Sequence, residues 1–257
     1  MGEMMQRIRR WWRLSRLFVH IVVGISLTAL LTGVLRFSVE QAFFQRLITW
    51  WLRKVAQILG AQVQIFGQPA GRGVLMVANH ISWLDIPLLG GATCLRFLSK
   101  KEVRHWPIIG WLADKSGTLF IERGKAGAAV EASQTILQAL RTEHAVLLFP
   151  EGTTTKGEDV RTFHARLFAP AFDAQVPVQP VAIRYPAMAG TGLTNPIVPY
   201  VDEQSLGDNL QGLLGERCIA VEIHFLPPIT TEGMERKRVA AHCEQQIRAI
   251  LKHESLE

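Results

Sequence analysis

Cysteine is scarce in this 257-residue chain. The three present, Cys94, Cys218 and Cys243, are odd in number and lack metal-ligand spacing. That argues against a disulfide framework and a zinc site, and the thiols read as reduced, in a cytosol-facing domain. Charge is sparse too, at 19% against 48% hydrophobic residues, a balance that points toward membrane contact. Residues 17–35, LFVHIVVGISLTALLTGVL, hold no Asp, Glu, Lys or Arg. No Gly-x-Ser-x-Gly stretch occurs, so the nucleophile elbow of a serine hydrolase is missing. There is no internal repeat, no low-complexity tract and no nucleic-acid-binding motif.

What charge there is sits unevenly. Arg7, Arg9, Arg10, Arg13 and Arg16 precede the apolar run against Glu3 alone, and account for most of the formal charge of +6. A basic block of this kind suits anionic lipid, not nucleic acid. The nineteen apolar residues would rise about 28 Å as a helix, close to the hydrocarbon thickness of a bilayer. The arginines before the run predict a cytoplasmic N-terminus, although Arg36, Arg46, Arg53 and Lys54 after it blur the asymmetry. A helix that dips into one leaflet and returns is the alternative. Residues 39–59 repeat apolar positions at helical spacing with Trp50 and Trp51 beside Arg53 and Lys54, a pattern that suits a headgroup interface or plain packing on the following domain. Residues 1–59 therefore read as a basic, membrane-associating segment and residues 60–257 as the globular domain.

From residue 60 short apolar runs alternate with helical patterns. Strands are expected at 61–66, 74–78, 94–99, 117–122, 145–149, 176–185 and 219–226, and helices at 84–92, 105–115, 126–142, 165–174 and 235–252. This alternation predicts an α/β domain with a largely parallel, mixed sheet flanked by helices, and ligands at the carboxyl ends of its strands. Residues 186–215 read as an irregular surface excursion, and the prolines at 177 and 180 favour an edge or an irregular strand.

The chain is organised around GVLMVANHISWLDIPLL, residues 73–89. A buried strand would deliver Asn79 and His80 to its carboxyl end, with Asp85 near the start of the next helix. Imidazole titrates near neutrality and can take a proton from an alcohol, while a carboxylate fixes its tautomer. No protein nucleophile is needed if the substrate supplies the hydroxyl. The same residues also fit a surface histidine and a first-turn aspartate before Pro87. Three further stretches fall at strand ends. In residues 99–124, Lys101 and Arg123 leave neighbouring strands and could converge on a phosphate. In residues 147–157, LLFPEGTTTKG, the Gly152–Thr153 turn offers donors to an anion, and Glu151 suits a cation or a substrate hydroxyl. The fourth is VPVQPVAIRY, residues 176–185.

In this order, the four stretches resemble the glycerophospholipid acyltransferase family over roughly residues 60–230. Asn79, His80 and Asp85 match its first motif; Lys101, Glu102, Pro107, Gly110, Gly117, Phe120, Ile121 and Arg123 its second; Phe149 to Thr153 its third; Val176 to Val181 its fourth. The resemblance implies that His80 acts as general base and Asp85 orients it. It also implies substrate contacts from Asn79, Lys101, Arg123, Glu151, Gly152 and Thr153, with no metal and no cofactor beyond the acyl donor, acyl-CoA or acyl-carrier protein. The acceptor implied is a lysophospholipid, foremost 1-acylglycerol-3-phosphate, giving phosphatidate; the alternative is lyso-ornithine lipid or another lysolipid. A bacterial inner membrane with the domain facing the cytoplasm follows from the same resemblance. Two departures bear on the headgroup. Thr154 and Thr155 stand where many members have Arg-Ser, and Phe163-His164-Ala165-Arg166 replaces Phe-Lys-x-Gly, with Arg166 as the substitute cation.

Overall fold

The structure, a computed structural model, describes residues 2–122, 127–187, 194–201 and 204–252. Its centre is strand β2, Val74–Ala78, all five of whose residues are fully buried. A strand covered on both faces needs an unbroken apolar run, and VLMVA supplies one. Around it lie β1 (Ala61–Gly67), β3 (Arg96–Lys100), β4 (Leu119–Ile121), β5 (Ala145–Leu148), β6 (Val178–Arg184) and β7 (Ile219–Phe225), in the spatial order β1-β7-β6-β2-β5-β3-β4. The β6-to-β4 portion is parallel; β7 runs antiparallel to β6, and β1 follows β7. The sheet is thus mixed, as expected, with the ends after β2, β3, β4 and β5 all on one side.

β6 lies inside the sheet despite Pro180, which the sequence placed at an edge or irregularity. Pro180 sits opposite Val77 of β2, and its carbonyl accepts Leu226 N–H at 3.0 Å on the β7 side. The N–H that proline lacks also faces that side, where the ladder begins only at Val181. An irregularity of pairing, not an edge, accommodates the ring.

Helices cover both faces. They are α1 (Gly2–Thr28), α2 (Ala42–Leu59), α3 (Asp85–Ala92), α4 (Ile109–Lys115), α5 (Ala128–Arg141), α6 (Ala169–Ala174), α7 (Leu206–Gly215) and α8 (Arg236–Leu251). A π-helical turn, Ala29–Val34, prolongs α1, and 3₁₀ turns at Lys101–His105 and Ala165–Phe168 precede α4 and α6. α7 corrects the expectation of an irregular excursion over 186–215. Ser205 caps it by accepting Gly207 N–H, and Leu213 and Leu214 are buried. Three glycines in LGDNLQGLLG weaken the helical signal, and burial of its leucines restores the helix.

The N-terminal segment departs further from its expected form. Gly2–Val34 is long and apolar enough to cross a membrane, but the helix includes the arginine block and does not begin after it. Arg13 is buried, and its guanidinium donates to Glu216 O at 2.6 Å and Arg217 O at 3.3 Å; Arg9 donates to Gly215 O at 2.8 Å. Two of the five arginines therefore cap the carboxyl end of α7, where backbone carbonyls lack helical partners. Gly60 follows α2 in the left-handed region at φ +94°, and a Cβ there would lie 2.1 Å from the Arg13 guanidinium. α1 and α2 also meet through His20 and Trp51, stacked at 4.9 Å between ring centres. Val55, Ala56 and Leu59 of α2 join Leu88, Leu89 and the sheet in one core. Each large aliphatic chain so buried is worth about 1.5–3 kcal/mol. The change at residue 60 is one of secondary structure, not a break in packing.

Candidate active site

β2 ends at Ala78, and the chain turns sharply through Asn79, His80, Ile81 and Ser82 before α3 begins at Asp85. Asp85 folds back on this turn. Its Oδ2 accepts His80 Nδ1 at 2.7 Å, Ile81 N–H at 2.8 Å and Ser82 N–H at 3.0 Å. Its Oδ1 accepts the Tyr185 hydroxyl, delivered from the end of β6. Asp85 is fully buried, while the His80 side chain keeps 21% of its surface exposed. A buried carboxylate survives only if its lone pairs are used, and here they are. With Nδ1–H given to Asp85, Nε2 carries the lone pair. The Phe149 ring stacks on the imidazole at 3.9 Å and 13°, limiting its rotation.

The backbone of His80 is held as firmly as its side chain. Its N–H donates to Glu151 Oε1 at 2.8 Å, and its carbonyl accepts Thr155 N–H at 2.8 Å. The second Glu151 oxygen accepts Arg161 N–H at 2.8 Å, and the residue is only 4% exposed. Burial pushes the Glu151 carboxyl above its ordinary pKa, while the hydrogen bonds from Arg161 and His80 pull it back. Glu151, an expected substrate contact, ties the loop after β5 to the loop after β2. Asn79, also an expected contact, is likewise engaged within the protein. It is fully buried, its side-chain amide donates to Ile183 O and accepts Ile183 N–H, both at 2.9 Å, and it extends the β2–β6 ladder.

The remaining expected residues lie farther out. Gly152 and Thr153 are exposed at the tip of the turn after β5, and Gly152 N–H is spent on Phe149 O at 3.1 Å instead of facing an anion. Lys101 follows β3, two strands from β2, about 10 Å away laterally by the usual strand spacing. Its ammonium is half exposed and pairs with Glu122 at 3.3 Å. Arg123 lies outside the described residues. Arg166 is exposed on the 3₁₀ turn, and the preceding His164 ring lies 3.7 Å from where a Cβ would stand on Gly152. Among the described residues no group of three His, Cys, Asp or Glu side chains is placed to hold a metal ion.

A histidine held by a buried carboxylate at a strand end can deprotonate a substrate hydroxyl. Residues 62–184 match the family model described as Acyltransferase. A lyso-ornithine lipid O-acyltransferase of Pseudomonas aeruginosa is 42% identical over 252 residues, covering 96% of this chain and 95% of its own. A 1-acyl-sn-glycerol-3-phosphate acyltransferase of Neisseria gonorrhoeae is 30% identical, over 72% of this chain and 73% of its own. The crystal structure of the 1-acyl-sn-glycerophosphate acyltransferase PlsC from Thermotoga maritima superposes with a TM-score of 0.74 at 21% identity, covering 98% of this chain and 97% of that one. The chain belongs to the PlsC-like glycerophospholipid acyltransferase family. As an acyltransferase of lipid metabolism it uses a lysolipid-type acceptor and an acyl donor.

Two features of this acyltransferase escaped the sequence. Tyr185 was legible only as the last residue of a plain strand, since nothing in its neighbourhood reveals a partner 100 positions away. Trp83, inside the His80–Asp85 turn, donates its indole N–H to Asn209 of α7 at 2.8 Å, a link hidden while α7 itself was unseen.

Proposed function

We propose that the protein is a lyso-ornithine lipid O-acyltransferase, moving a fatty acyl group from a thioester donor to the free hydroxyl of the acceptor. The observation that carries the reading is the 42% identical, near full-length relative of that name. Thr154 and His164 support it. They stand where cations would serve a phosphate monoester, which is close to doubly charged at neutral pH, whereas an amino-acid headgroup carries at most a single carboxylate. The phosphatidate-forming reading stands second, favoured by the Neisseria relative and by the lysine at 101.

In this reaction His80 Nε2 removes the proton as the acceptor oxygen attacks the thioester carbonyl. Asp85 stabilises the resulting imidazolium. Collapse of the tetrahedral intermediate breaks the C–S bond, and the departing thiolate takes the proton back from His80. The acyl group passes directly to the acceptor, so no acyl-enzyme forms. Lys101, Arg123 and Arg166 would meet the headgroup, with Thr153 beside them. The outer face of α1, with Trp11, Trp12, Phe18 and Val22 exposed, would enter the bilayer, with the catalytic domain at the cytoplasmic surface of a bacterial inner membrane.

The test is acyl transfer by the purified protein in detergent, from palmitoyl-CoA and palmitoyl-carrier protein, to lyso-ornithine lipid and lysophosphatidate, beside His80→Ala. Transfer to lyso-ornithine lipid lost in the variant is the expected result. Transfer confined to lysophosphatidate would replace the acceptor and leave the chemistry standing.

A further inference from the structure

We propose that Tyr185 is a positioning residue for acyl transfer: its hydroxyl, donating to Asp85 Oδ1, sets how strongly and in what orientation Asp85 holds His80. The inference rests on His80 being the base and deepens that reading. Of the four donors to Asp85 among the described residues, three come from residues 80–82 and travel with the turn itself. Tyr185 comes from β6, which pairs with β2 through Val77 and Pro180. The hydroxyl therefore references the carboxylate to the rigid centre of the sheet.

Chemistry favours a tuning role as well as an anchoring one. Tyr185 is fully buried among Ile81, Leu84 and Val198 of the same core. Burial first, then the Asp85 charge and hydrogen bond, push its phenol well above the ordinary pKa, so it is a neutral donor throughout the working range. A donor on Oδ1 draws negative charge away from Oδ2, where the His80 proton is held. Without it, Oδ2 would hold that proton harder, the imidazolium would be stabilised, and His80 would titrate at higher pH. A stronger donor would move the titration the other way. The other titratable or charged groups near His80 are Glu151 beneath its backbone, Arg161 beyond Glu151, and His164 near Gly152. None of them contacts Tyr185 within the described hydrogen bonds, and each stays unchanged in the experiment.

The experiment compares Tyr185→Phe and replacement of Tyr185 by 3-fluorotyrosine with the wild-type full chain in detergent. His80 is titrated by NMR on histidine-labelled protein, assigned with His80→Ala, and palmitoyl transfer from palmitoyl-CoA and palmitoyl-carrier protein is followed in parallel. The phenylalanine variant should titrate at higher pH than wild type and the fluorotyrosine variant, a better donor, at lower pH. In Tyr185→Phe, kcat should fall about tenfold, a fraction of the 10²–10⁴ that a general base supplies, with both KM values little changed. An unmoved His80 titration, with activity lost only in proportion to folded protein, would leave Tyr185 a merely structural residue and overturn the proposal. If the phenylalanine variant does not fold, the fluorotyrosine shift alone decides. Turnover persisting in His80→Ala would overturn the base assignment and this inference together, whereas its loss with an unmoved titration overturns this inference only.

Discussion

The loops after β2 and after β3 leave the same end of the sheet, yet they treat polar side chains differently. In the first, Asn79 and Asp85 are buried and, with Glu151 reaching across from the loop after β5, have both polar atoms engaged, by Ile183, by the 80–82 turn with Tyr185, and by His80 with Arg161. In the second, Lys101 is half exposed and, among the described residues, pairs with Glu122 at 3.3 Å. Thr153 after β5 and Arg166 on its 3₁₀ turn are exposed in the same way. Under the function proposed above, the contrast separates two tasks. Proton transfer needs atoms fixed to a fraction of an ångström, and burial with saturated hydrogen bonds achieves that. A headgroup arrives with its own shape and charge, and long, solvated side chains adapt to it at little cost to the fold.

Breaking the fixed side should have the larger effects. His80→Ala should lower kcat by about 10³-fold while the protein stays folded, as expected for loss of a general base; thermal melting beside turnover checks both halves. Asp85→Asn should cost at least about 10²-fold and lower the melting temperature too, because an amide would present N–H to the Ile81 or Ser82 donors; retention of half the activity would refute the dyad. Glu151→Gln should destabilise by about 1–3 kcal/mol, since one backbone N–H then faces an amide donor in a buried place, and denaturant unfolding measures it. The same variant carries a pH signature. Burial raises the folded-state pKa of Glu151 above the ordinary 4.5, so the native state binds its proton more tightly. Stability from this group is therefore greatest below that value and is lost as pH rises through the raised folded pKa. Glu151→Gln should flatten that part of the stability profile.

The adaptable side should yield less. Lys101→Ala and Arg166→Ala should each raise the acceptor KM by at most about fivefold, the worth of an exposed ion pair near 1 kcal/mol, with donor KM and kcat unchanged. A loss from either as large as that from Asp85→Asn would erase the distinction between the two loops.

Sequence legibility followed the same division. The apolar run VLMVA, the five-residue step from His80 to Asp85, and the alternation of strands and helices are local patterns, and each has its expected place in the structure. What stayed hidden depends on distant pairing. The reversal of β7 is set by partners in β6, not by its own residues. The partners of Glu151 and Asn79 were hidden as well, since His80, Arg161 and Ile183 meet them only in the fold. Arg9 and Arg13 looked like lipid-facing charge until α7 supplied carbonyls for them.

Those arginines bear on how separable the protein's parts are. Arg9 and Arg13 complete the last turn of α7, and the side-chain Oδ1 of Asn209 on α7 accepts the indole N–H of Trp83, three residues from His80. The first helix is accordingly part of the scaffold that supports the His80 turn. A shortened chain prepared for easier handling would leave bare carbonyls at α7 and pass the fault, through one asparagine and one tryptophan, to the turn that carries the base. Solubility gained by trimming this protein would be taken from its catalysis.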